Sequence, residues 1–178
     1  TQDFYRVDQV LAAIGQSDNR FTPMQLCVYV STLANRGTRY KATFLRRVVS
    51  ADYRQLVFEN SAKILSQYEI SDDAYLAYMQ GMYRVANEVN GSTFDTMGYL
   101  PFTVCAKTGT AQTGTVGSDN GACIAFAPMD APEIAVSVYG EHAGYGSSLA
   151  AVATNMLESY FGNAGNSAEV TTFENYPN

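Results

Sequence analysis

Three runs of β-prone residues follow one another closely at 103–113, 121–127 and 133–139, joined by links of only a few residues. A parallel pairing needs a crossover of about a dozen residues or more, so these runs can be sheet neighbours only in antiparallel order. The links around 113–120 and 128–132 carry the Gly, Ser, Asp, Asn and Pro that turns use. Such a sheet must bury a face, and three amphipathic helices supply the cover. In the first, Thr22 is a natural N-cap, Pro23 suits the first helical position and Gln25 completes a capping box. Leu26, Val30 and Leu33 then form an apolar stripe that stops before Gly37. The second begins after Ser71, with Asp72 and Asp73 complementing the helix dipole. It carries Tyr75, Met79, Met82, Tyr83 and Ala86 on one face and ends at Asn90-Gly91. The third follows Gly146 and turns Leu149, Val152, Ala153, Met156, Leu157 and Tyr160 inward before Gly162. The expected fold is α+β, an antiparallel sheet packed with helices.

At 178 residues, 47% of them hydrophobic, the chain can build one sizeable core. A net charge of −6 works against nucleic acid or an anionic membrane surface as partner, because both reward clustered Lys and Arg. No apolar run approaches the length of a membrane span. A weaker extended segment at 38–51 carries Arg39, Lys41, Arg46 and Arg47, a basic cluster that reads as a solvated strand face. Residues 61–71 show no clear periodicity. From 162 onward Asn, Ser, Thr and Gly dominate, so the chain divides into a globular part, 1–161, and a polar tail, 162–178, expected to be disordered or to lie on the surface. The cysteines, Cys27, Cys105 and Cys123, are odd in number. A turn centred near Val116 would set Cys105 opposite Ala127 and Cys123 opposite Gly109; that offset is about 13 Å along a ladder, too far for a disulfide. All three read as small buried hydrophobes.

The chemistry is concentrated on the first strand run, in Lys107-Thr108-Gly109-Thr110-Ala111-Gln112. A cation, two hydroxyls and a bare glycine suit a ligand with a carboxylate beside a peptide carbonyl. Without a Cβ at Gly109, an extended peptide can approach the backbone and pair with it as an added strand. Other chemistries lack their residues. One histidine and three scattered cysteines make no zinc set, and no glycine-rich nucleotide loop is present, so neither metal nor cofactor is expected. Glu141-His142, entering the loop Gly144-Tyr145-Gly146, read as strand-end polar residues facing water rather than as a general base. Asp72 and Asp73 read as helix-start residues.

K-T-G is one of three marks of penicillin-binding proteins and class A β-lactamases, with S-x-x-K and S-D-N. Upstream stand Ile14-Gly15-Gln16, Thr22-Pro23-Met24-Gln25-Leu26 and Thr32-Leu33-Ala34-Asn35-Arg36-Gly37, Lys107 following 91 positions after Gln16. In order and spacing these blocks resemble the transpeptidase domain of class B penicillin-binding proteins. The resemblance extends over 14–161. It implies a five-stranded sheet in the intact domain, of which this chain holds three strands. S-x-x-K is absent: three before Lys41, Lys63 and Lys107 stand Thr38, Asn60 and Val104. S-D-N occurs as Ser17-Asp18-Asn19 and Ser118-Asp119-Asn120, both in turn positions where the family does not place its motif. The chain therefore reads as the C-terminal part of the domain, with the nucleophile upstream of it and inert without it.

In the intact domain, the resemblance implies, that serine attacks the penultimate D-Ala carbonyl of a peptidoglycan stem peptide, and a β-lactam competes. Lys107 and Thr110 would be catalytic, the first moving the serine's proton and the second offering its backbone N–H to the oxyanion. Thr108, Gly109, Thr110 and Gln112 would bind substrate, the two threonine hydroxyls holding its carboxylate. Expected partners are the stem peptide, β-lactams, the N-terminal part of the domain and a second copy pairing through the exposed sheet edge. Expected localisation is the extracytoplasmic face of the bacterial membrane, anchored by an N-terminal segment. The alternatives are a class D-like β-lactamase or β-lactam sensor, against which the Thr-Pro-Met-Gln-Leu block counts, and a non-catalytic scaffold of the same fold.

Overall fold

A computed structural model of the protein describes residues 5–16, 19–113 and 118–164. A first helix, α1 (Arg6–Ala13), precedes α2 (Pro23–Ala34). Four short strands follow: β1 (Thr38–Tyr40), β2 (Arg47–Val49), β3 (Leu56–Glu59) and β4 (Ile64–Gln67). Helices α3 (Asp72–Asn87) and α4 (Phe94–Met97) lead to the main strands β5 (Cys105–Ala111), β6 (Asn120–Ala127) and β7 (Ile134–Gly140). A 3-10 turn, Gly146–Leu149, opens the last helix, α5 (Ala150–Ala164).

The main sheet has the order β5-β6-β7, antiparallel throughout, as the short links require. Its register differs by one residue from the expectation: Cys105 lies opposite Phe126, and Cys123 opposite Thr108. One step of register exchanges faces, so the two cysteines point to opposite sides of the sheet. Cys123, Ala106 and Ala125 pack with Ala150, Ala153 and Leu157 of α5. Cys105 and Phe126 pack with Val30 of α2 and with Met79 and Met82 of α3. The sheet is thus covered on both faces, which accounts for the nearly unbroken apolar run of β6. All three thiols are free. Burial pushes Cys105 up to about 12 and Cys123 to about 11, the Lys107 ammonium acting against the shift at Cys123.

The capping box of α2 forms as the sequence predicts, the Gln25 side chain accepting from the Thr22 N–H at 2.8 Å and the Thr22 hydroxyl from the Gln25 N–H at 3.2 Å. Gly37 must be glycine: its φ is +100°, and a Cβ there would meet the Tyr68 carbonyl oxygen at 2.3 Å. Ser71 caps α3 by accepting from the Ala74 N–H, and Asp72 pairs with Arg36, so the two aspartates open a helix. The third helix departs from its expected face. Ala153 and Leu157 are buried, whereas Val152, Met156 and Tyr160 are 48%, 45% and 40% exposed. Alanines at 150 and 153 bring α5 close to the sheet, and the buried stripe is correspondingly narrow. Nor does Gly162 end the helix, which continues to Ala164, Phe161 packing on Phe102 with ring centres 4.2 Å apart. Most of the expected polar tail, 165–178, lies outside the described residues.

No periodicity in the sequence marks helices α1 and α4 or strands β3 and β4. Segment 38–51 is two strands of separate ladders, β1 with β4 and β2 with β3. Each strand has only three or four residues, too few for alternation to show. Arg39, Lys41, Arg46 and Arg47 are all exposed there, as expected of a solvated face.

Candidate active-site strand

Among the described residues, strand β5 has a ladder partner on one side only. Its other edge offers unpaired backbone groups to an added strand. The α3 side chain Asn87 closes one end of that edge, its amide donating to the Val104 carbonyl at 2.8 Å. Side chains alternate along the strand. Lys107 and Gly109 share one face and are exposed, and the Lys107 ammonium donates to the Thr108 carbonyl. Among the described residues, a Cβ added to Gly109 would find only the Ala122 Cβ within 4 Å, at 3.9 Å, so the space before it is open.

Thr108 and Thr110 occupy the other face, half-buried. The Thr110 hydroxyl accepts from the Gly146 backbone N–H at 3.1 Å. With that lone pair engaged, its own proton is free to be donated outward. The Thr108 hydroxyl lies 2.9 Å from that of Ser92, in the loop after α3. Behind the strand, Gly146 sits directly against the backbone: a Cβ there would come within 2.2 Å of the Gly109 carbonyl oxygen and 2.5 Å of that of Ala122. Backbone atoms cannot yield as a flexible side chain can. Gly146→Ala should therefore cost about 1–3 kcal/mol of stability, read as a lower urea midpoint, and an unchanged midpoint would show the contact to be slack.

Gln112 stands one residue beyond β5 and is exposed. His142 is exposed and at φ +54°. Its Nδ1 lies 3.0 Å from the Ser118 carbonyl, and its N–H donates to Asn120 Oδ1 at 3.0 Å. The Gly144 N–H donates to the Asp119 carbonyl at 2.9 Å. Ser118-Asp119-Asn120 thus ties the loop after β7 to the start of β6, a structural task. In the other triplet, Asn19 donates to the Ala12 and Gln16 carbonyls at 3.0 Å, while Ser17 and Asp18 lie outside the described residues. An apolar cavity of about 760 Å³ lies elsewhere, between α2 and the β1–β4 ladder, lined by Met24, Val28, Tyr29, Leu65 and Tyr68 among others. It holds none of the K-T-G residues, so edge geometry rather than cavity size locates the candidate site. Among the described residues no group of His, Cys, Asp and Glu could hold a metal ion.

Sequence reasoning missed the contact of Ser92 with Thr108, the closing role of Asn87 and the backing role of Gly146. Ser92 precedes Thr108 by 16 residues with no periodic signal to join them. Gly146 read only as the residue before a helix.

The chain matches the penicillin binding protein transpeptidase domain over residues 1–158. It belongs to that family. It is 30% identical over 174 residues to penicillin-binding protein 2B of Streptococcus pneumoniae, a match covering 89% of this chain and 25% of that protein. With penicillin-binding protein 2A of Bacillus subtilis it shares 32% over 139 residues, 71% of this chain and 19% of the relative. The solved structure of penicillin-binding protein 2B from S. pneumoniae strain R6 superposes with a TM-score of 0.75 at 28% identity, over 89% of this chain and 28% of that one. The α+β fold is therefore that of the penicillin-binding transpeptidases. The chain spans about a fifth to a quarter of the length of the curated relatives it matches.

Proposed function

We propose that this chain supplies the K-T-G wall of a peptidoglycan D,D-transpeptidase site. One observation carries the reading: the unpaired edge of β5 presents Lys107 beside an open Gly109 on one face and the hydroxyls of Thr108 and Thr110 on the other. A stem peptide would lie along that edge as an added strand. Its terminal carboxylate would accept from the Thr108 and Thr110 hydroxyls, and its scissile carbonyl would meet the Thr110 backbone N–H. Gln112 would touch the same substrate farther along. The 178 residues contain no S-x-x-K; the attacking serine belongs to the rest of the domain, which packs against this chain at the extracytoplasmic face of the bacterial membrane. In this reading residues 1–164, to the end of α5, belong to the C-terminal portion of the transpeptidase domain. The same open edge is where isolated chains would pair with one another.

Lys107 acts on the serine's proton, so its loss should slow acylation far more than binding. In the full-length protein, Lys107→Ala should reduce the rate of acylation by a labelled penicillin by on the order of 10²–10⁴-fold, measured by stopped-time gel fluorescence. A rate near that of the unaltered protein would remove Lys107 from the chemistry and, with it, this reading of the strand.

A further inference from the structure

We infer that Ser92 is a positioning residue that fixes the direction of the Thr108 hydroxyl proton; the inference rests on the carboxylate-binding reading of Thr108 given above. The two hydroxyl oxygens are 2.9 Å apart, so one donates to the other. Free of ligand, either direction satisfies the pair. A bound carboxylate accepts only, so the Thr108 proton must turn to it, and Ser92 then donates to the Thr108 oxygen. The chain Ser92 to Thr108 to carboxylate is head-to-tail, with a charge-assisted bond at its end, and each bond polarises the next. Thr110 is served in the same way, by the Gly146 N–H, which can only donate. Both substrate-facing hydroxyls thus receive a donor from outside the K-T-G motif.

Ser92 is exposed, yet its backbone is held from both sides. Before it, the Gly91 N–H donates to the Glu88 carbonyl at 2.7 Å, and a Cβ on Gly91 would come within 2.3 Å of the Val85 carbonyl oxygen. After it, Thr93 is buried, and its N–H and hydroxyl both donate to that same Val85 carbonyl, at 3.1 and 3.0 Å. Val85 belongs to α3, which packs on β5. Ser92 is therefore fixed relative to Thr108 by a turn with no room to drift, which is what an orienting donor requires.

The test uses the full-length protein and two probes, a labelled penicillin and its methyl ester, in which the carboxylate is capped. Ser92→Ala should slow acylation by the free acid about three- to ten-fold, the equivalent of one hydrogen bond, and leave the slower reaction of the ester unchanged. Ser92→Thr, which keeps a hydroxyl, should restore most of the loss. The ester serves as the control for folding, since a general disturbance would slow both probes alike, and that outcome overturns the inference. Thr108→Val separates the two layers of the argument. If it removes the preference for the free acid while Ser92→Ala does not, the carboxylate site stands and the role of Ser92 is overturned. If Thr108→Val itself leaves the preference intact, the carboxylate-binding reading fails and the inference falls with it.

Discussion

Replacing Gly109 by valine in the full-length protein should block acylation by penicillin while leaving the fold intact. The glycine is exposed, and an added Cβ would make one ordinary contact, with the Ala122 Cβ at 3.9 Å. Its φ is not in the left-handed region that only glycine tolerates, and β-branched residues suit a strand. Among the described residues nothing opposes the valine, so its unfolding free energy in urea should stay within about 0.5 kcal/mol of the original. The two new methyl groups would stand beside Lys107, where the backbone of an added strand must come into contact. Binding by strand addition does not tolerate that displacement, since a misplacement of about 1 Å can cost 10²-fold in rate; acylation should fall by at least about that much. Gly146, on the opposite side of the same backbone, should behave in the reverse manner, losing stability first. Normal β-lactam reactivity in the Gly109→Val protein would reject strand addition along this edge.

Much of this arrangement is legible in the sequence because it rests on local rules. Short links impose an antiparallel order on β5, β6 and β7, and Thr22, Pro23 and Gln25 mark the start of α2 whatever surrounds it. The chemistry proposed for the K-T-G run rests on residue type alone. What stayed hidden depends on tertiary distance or on one step of register. The slip that turned Cys105 and Cys123 to opposite faces changes no local preference, because β6 is apolar on both sides. The exposed Val152, Met156 and Tyr160 of α5 carry the hydrophobic signal of a core face; only the close approach allowed by Ala150 and Ala153 decides which stripe is buried. Strands β1 to β4 are too short to show a period. Ser92 and Gly146 reach the site across loops, and no spacing in the chain relates them to Thr108 and Thr110.

The second large effect follows from the residue that the chain does not contain. Acylation needs an activated serine within hydrogen-bond reach of a base and about 3 Å from the carbonyl carbon. Ser92 is close to the motif, but its hydroxyl is engaged with Thr108, and no lysine stands three residues after it. Ser118 offers its carbonyl to His142 and likewise lacks a following lysine. The decisive measurement is intact-mass spectrometry after incubation with a penicillin. The 178-residue chain alone should show no added penicilloyl mass, whereas the full-length protein should gain one penicilloyl group on a serine of an S-x-x-K motif outside these residues. A stoichiometric adduct on a serine of the isolated chain, or no adduct on the full-length protein, would contradict the assignment of this chain to the K-T-G wall of a transpeptidase site.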